Sequence, residues 1–160
     1  MRALMPFCLS VKKIESVTDV YWRNLKLQEL DEALLDCSGF MAELYTRQPQ
    51  AVCGATLPFT LHIIARSHTS VMLNSINWGG ADSSTHFRIS FDTLLTFEHA
   101  IGIPASEPFT QPYWLSAPHA GGDMFSIPHD TLLGLPETPN NLNATLNVSI
   151  GGVTMNIKVP

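Results

Sequence analysis

The segment 143–159 reads Asn-Ala-Thr-Leu-Asn-Val-Ser-Ile, then Gly-Gly, then Val-Thr-Met-Asn-Ile-Lys-Val. Apolar and polar residues alternate on both sides of the glycine pair. Gly-Gly accepts the positive φ angles of a tight hairpin turn, so the two runs are predicted to fold back on each other as adjacent antiparallel strands. Ala144, Leu146, Val148 and Ile150 then share one face. Val153, Met155, Ile157 and Val159 join that face across the turn. A sheet with this alternation has one side that must be covered by protein, which places the C-terminal two thirds of the chain among antiparallel β folds.

The rest of that region has the same texture. Leu57, Phe59, Leu61 and Ile63 alternate, Val71–Trp78 reads as a second strand, and Phe87, Ile89 and Phe91 mark a third. A fourth is predicted over 93–103, with short strands at 113–115, 124–127 and 131–133. Gly- and Pro-rich stretches such as Ala117–Gly122 and Leu135–Pro139 separate them. Many short strands with turn punctuation predict a mainly β chain: an immunoglobulin-like antiparallel β-sandwich over 55–160.

Upstream, Leu27, Leu30, Leu34, Cys37, Met41 and Leu44 recur at three- and four-residue steps. This predicts one amphipathic α-helix over 20–48, capped by Thr18 or Asp19, with Pro49 beyond its end. Gly39 is unfavourable inside a helix unless a close neighbour needs the space. The apolar stripe needs cover, so the helix is expected to pack on the sandwich or on protein outside this chain. Residues 1–19 are predicted to be irregular. Pro6 breaks the short apolar start, Lys12 and Lys13 follow, and no small-x-small site for signal cleavage appears. Localisation is open, and extracytoplasmic if the chain is excised from a secreted parent. No run approaches the roughly 18 apolar residues of a membrane-spanning helix.

At 160 residues, 45% apolar and 14% charged, with a formal charge of −5, the chain reads as a folded domain with little charged surface. Part of that surface is open to coverage by a partner. The nine basic residues are scattered rather than striped, which argues against nucleic acid as a ligand. Cys8, Cys37 and Cys53 have no metal-ligand spacing and read as small apolar side chains, with a Cys37–Cys53 bridge left open. His62, His68, His86, His99, His119 and His129 form no paired ligand motif, and no Gly-x-Ser-x-Gly elbow occurs. Glu98, Glu107, Asp123, Asp130 and Glu137 could act as acid and base only through contacts that sequence does not reveal. No catalytic residue, metal site or cofactor is therefore assigned. Trp78, Tyr113 and Trp114 are the candidate ligand-binding residues, as a flat platform for a sugar ring. The competing expectation is that all three plug the ends of the core. Asn143 and Asn147 fall in Asn-x-Thr/Ser sequons, which are expected by chance in such strands.

Several stretches together carry a resemblance. Gln111-Pro112-Tyr113-Trp114-Leu115 is followed by Gly134-Leu135-Pro136-Glu137 and the terminal hairpin. Leu27-Gln28-Glu29-Leu30-Asp31 and Asp36-Cys37-Ser38-Gly39-Phe40 precede them. This order resembles the region downstream of the catalytic domain in large bacterial PIG-L/LmbE-like deacetylases, over roughly residues 20–160. The resemblance implies a helix leading into an immunoglobulin-like sandwich. It also implies a non-catalytic accessory role beside a zinc-dependent domain that removes an N-acetyl group from a glucosamine-bearing substrate. The Ala-His-Pro-Asp-Asp-type motif of those catalytic domains is not in this sequence; Pro128-His129-Asp130 has another order. The expected partner is a cognate catalytic domain or a same-chain neighbour. A carbohydrate-binding or adhesion module using exposed aromatics is the alternative, and an independent hydrolase built from dispersed His, Asp and Ser is a third reading.

Overall fold

A computed structural model describes residues 5–79, 82–118, 121, 127, 130–140 and 142–160. Among these residues two helices, α1 (Met5–Glu15) and α2 (Val20–Ser38), precede seven strands. These are β1 (Phe40–Tyr45), β2 (Thr56–Ala65), β3 (Val71–Asn77), β4 (Asp82–Ile89), β5 (Leu95–Gly102), β6 (Ala144–Ile150) and β7 (Val153–Val159). One sheet has the order β1-β2-β5 and the other β4-β3-β6-β7. Every pairing within them is antiparallel. The fold is a mainly β, immunoglobulin-like sandwich preceded by helices. In the constant-type immunoglobulin arrangement the fourth strand joins the sheet of the first two. Here β4 instead extends the other sheet by pairing with β3.

The terminal hairpin forms where its alternation places it. Gly151 and Gly152 have φ of 57° and 93°, the left-handed pair that a two-residue turn requires. Val148 stands opposite Met155 and Leu146 opposite Ile157. Ala144, Leu146, Val148 and Ile150 are all wholly buried. They meet Leu61 and Ile63 of β2 and Val71 and Leu73 of β3 in one continuous core. Leu57, Phe59 and Ile103 form a smaller cluster at one end.

The helical region differs from its sequence reading in two ways. Residues 1–19 were expected to be irregular, yet α1 occupies Met5–Glu15. Pro6 lies in its first turn, where the missing N–H has no intrahelical role, so proline starts this helix rather than breaking it. The second helix was expected over 20–48 but ends at Ser38. Gly39 adopts φ 57° and ψ 29°, and its N–H returns to the carbonyls of Asp36 and Leu35. The chain turns directly into β1, where Phe40, Ala42 and Leu44 pack on the core while Met41 and Glu43 are exposed. Met41 and Leu44 thus fit a helical step by coincidence, and a two-residue period governs them instead. Cys37, read as part of the apolar stripe, is an exposed free thiol, and Cys53 is also free.

At its start, α2 is capped by Asp19, whose carboxylate accepts from the Trp22 N–H at 3.1 Å. Its C-terminal half docks on the sandwich. Leu34 is wholly buried in the main core, and Leu35 packs beside it. The helix lies on the side of the sandwich where β1 and β7 are the edge strands, contacting β1 and β6 and facing β7 across an open depression. On the same side of the helix, burial pushes the Asp31 carboxyl above the ordinary range. The opposite end of α2 leaves Val20, Tyr21 and Trp22 exposed.

Two substitutions test these placements in thermal or denaturant melts. Ile150→Asp puts an unpaired charge in the core and should cost about 4 kcal/mol or more. Gly39→Ala forces a left-handed residue and brings a Cβ within 3.1 Å of the Arg66 Cβ, so it should cost about 1–2 kcal/mol or more. A wild-type melt for either variant contradicts the corresponding packing.

Candidate docking site in the long interstrand connection

Strands β5 and β6 are joined by residues 103–143, far beyond the roughly 12–15 residues above which a connection without secondary structure of its own is uncommon. Its described parts are held by their own hydrogen bonds. Residues 113–115 and 131–133 were expected to be strands; the first is a 3-10 turn, Tyr113–Leu115, and the second overlaps another, Asp130–Leu132. Apolar triplets are too short for periodicity to separate the two conformations. Pro112 pre-sets the entry to the first turn with φ −54°. Of the strand expected at 124–127, residues 124–126 lie outside the described residues.

Tyr113 ties this connection together. Its N–H donates to the Thr138 hydroxyl at 3.0 Å, and its phenol donates to the Leu135 carbonyl at 3.0 Å. The Thr138 hydroxyl donates in turn to the Gln111 carbonyl at 3.2 Å. The Gln111–Leu115 and Gly134–Glu137 stretches, distant in sequence, are thereby stitched into one locus. Trp114 packs edge-on against Tyr113 with ring centroids 4.9 Å apart.

Around this locus apolar side chains stand in the open. Phe109 is 88% exposed, Leu133 58% and Leu115 50%, and Leu135 and Trp114 are also exposed. At the start of the connection a cleft of about 600 Å³ opens among Leu44, Leu57, Phe59, Ile103, Phe109 and Leu142. The Cys53 thiol donates to the Glu107 carbonyl at 3.3 Å, joining the β1–β2 loop to the cleft wall.

The three candidate platform residues do not act as one. Trp78 is 5% exposed and belongs to the main core. Its ring stacks on His99 from the other sheet, 4.7 Å between centroids and 19° between planes. It is a core plug, as one of the two expectations had it, and not an exposed sugar platform. Tyr113 is half-buried and spends its phenol on Leu135, leaving Trp114 as the exposed ring of that pair.

The described histidines are equally dispersed. His62 is 3.3 Å from the Tyr45 phenol, and His68 stacks on Phe91 with centroids 4.2 Å apart. His99 lies against Trp78, and His86 occupies β4 with a positive φ of 48°. Among the described residues no group of three or more His, Cys, Asp or Glu is placed to hold a metal ion. His119 and His129 lie outside the described residues. No helix among those residues is long and apolar enough to cross a membrane. No protein-family model matches the sequence, and no curated protein does so.

Burial separates the two tryptophans experimentally. Trp78→Ala should cost about 3–5 kcal/mol of stability, as expected for a large core truncation. Trp114→Ala should cost about 1 kcal/mol or less, because its ring already faces solvent. Equal losses in urea unfolding would contradict the assignment.

Proposed function

We propose that this chain is a non-catalytic accessory β-sandwich module that associates with a PIG-L-like zinc N-acetylglucosaminyl deacetylase domain, and that the β5–β6 connection is its docking element. The observation that carries this reading is the convergence at Tyr113. Two of the stretches on which the family resemblance rests are hydrogen-bonded to one another through that residue and Thr138. A network of this kind holds together two parts of a long connection that has no strand among its described residues. The same locus displays Trp114, Leu115, Leu133 and Leu135. A cluster of large exposed apolar residues on a pre-shaped loop suits an interface, where aromatic and aliphatic anchors supply most of the binding energy.

The low charge of the whole chain, 14% Asp, Glu, Lys and Arg, fits a module with part of its surface covered. The exposed Val20, Tyr21 and Trp22 at the start of α2 offer a second contact area for the same neighbour.

The test is to mix the chain with a catalytic domain of this family encoded in the same reading frame or operon. Co-elution and a raised melting temperature of the catalytic domain are expected. The pair Leu115→Glu and Leu135→Glu should abolish both while leaving the melt of the isolated chain within about 1 kcal/mol of wild type. Independent elution with no mutual stabilisation overturns the proposal.

A further inference from the structure

The outer face of the β4-β3-β6-β7 sheet is unusual in its chemistry. Asparagine is depleted from strand interiors. Yet Asn74, Asn147 and Asn156 form a row across β3, β6 and β7, and Asn77 stands at the end of β3. The Asn74 amide donates to the Asn147 carbonyl oxygen at 2.8 Å and to the Ser149 hydroxyl at 2.9 Å. Asn147 passes the row on, donating to the Asn156 carbonyl oxygen at 2.7 Å. Ser149 and Thr154 are joined hydroxyl to hydroxyl at 2.8 Å.

This row depends on a bulge. Leu73 pairs with Val148 and Ser75 with Asn147, so Asn74 is an extra residue relative to β6. Its side chain reaches the outward residues of β6, and Ser75 lines the same outer surface. The bulge therefore brings two consecutive polar side chains to one face, the re-aiming that bulges provide.

Beside the row is a shallow hollow of about 400 Å³ lined by Ser75, Asn77, Thr145, Asn147 and Asn156. Every lining side chain is an amide or a hydroxyl, and none is charged. Asn156 also borders a second depression of about 550 Å³ between β7 and α2, which is of another character: Asp31, Glu32 and Lys158 line it together with apolar side chains such as Leu35 and Ile157. The uncharged hydrogen-bonding surface is thus the hollow over β3, β6 and β7.

We infer that this hollow binds one unit of a neutral oligosaccharide. A sugar ring presents hydroxyls that both donate and accept, and side-chain amides and hydroxyls match them without burying an ion. Side chains already held by neighbouring hydrogen bonds lose little freedom on binding. The buried Trp78 plays no part in this site.

The test titrates the isotope-labelled chain with cello-, xylo-, manno- and chito-hexasaccharides, with an oligogalacturonate as the anionic comparison, and follows backbone amide shifts. At least one neutral hexasaccharide should give saturable shifts at residues 75–77, 145–147 and 154–156. Thr145→Val and Asn156→Ala should each weaken binding about threefold to tenfold, the loss expected for one or two hydrogen bonds. Thr96→Val, on the outer side of the other sheet, should leave it unchanged. The inference is overturned by no saturable shift with any neutral hexasaccharide, by shifts that map elsewhere, by binding that survives both variants, or by binding of the oligogalacturonate alone.

Discussion

The sandwich is closed on one flank by a helix, and the geometry of that closure rests on a single backbone angle. Two packed sheets bury their inner faces against each other, but the flank between edge strands β1 and β7 remains open unless another element covers it. Here α2 covers it, with Leu34 inserted into the same core as Leu146, Val148 and Ile150. The helix can lie there only because the chain changes direction within one residue. Gly39 takes a left-handed conformation, its carbonyl accepts from the Arg66 N–H at 3.1 Å, and β1 begins at once beside β2. Ser38 supports the corner from inside, donating to the Leu35 carbonyl and accepting from the Phe40 N–H. Helix docking and strand pairing are thus set by one corner and are not independent.

Much of the fold could be read from the sequence because it follows from local pattern. The Gly-Gly hairpin, the alternation in β2 and the inward face of β6 need only a two-residue period and a turn that tolerates positive φ. Boundaries were less legible where two periods coincide. Phe40–Tyr45 contains good helix formers and continues a helical step through Met41 and Leu44, so the pairing of β1 with β2 decided its conformation. Pro6 pointed to irregular structure because proline at a helix start and proline as a helix breaker look the same without the flanking geometry.

The site was legible only in part. Tyr113 and Trp114 stood out as aromatic residues, but the bonds that tie them to Leu135 and Thr138 span more than twenty residues and no periodicity signals them. Trp78 beside a Gly-rich loop suggested exposure, whereas its place opposite His99 depends on how the two sheets face each other. The asparagine row was invisible for a related reason. Asn74, Asn147 and Asn156 align only once the bulge in β3 and the register of two strand pairs are known.

The two flanks of the sandwich are unequal, and this asymmetry bears on assembly. The helix shields the β1/β7 side, while on the far side the edges β4 and β5 carry exposed Phe87 with Phe91 and Leu94 nearby. With α2 packed along one border and large apolar side chains exposed on the other, the two borders of the sandwich are not equivalent as contact surfaces.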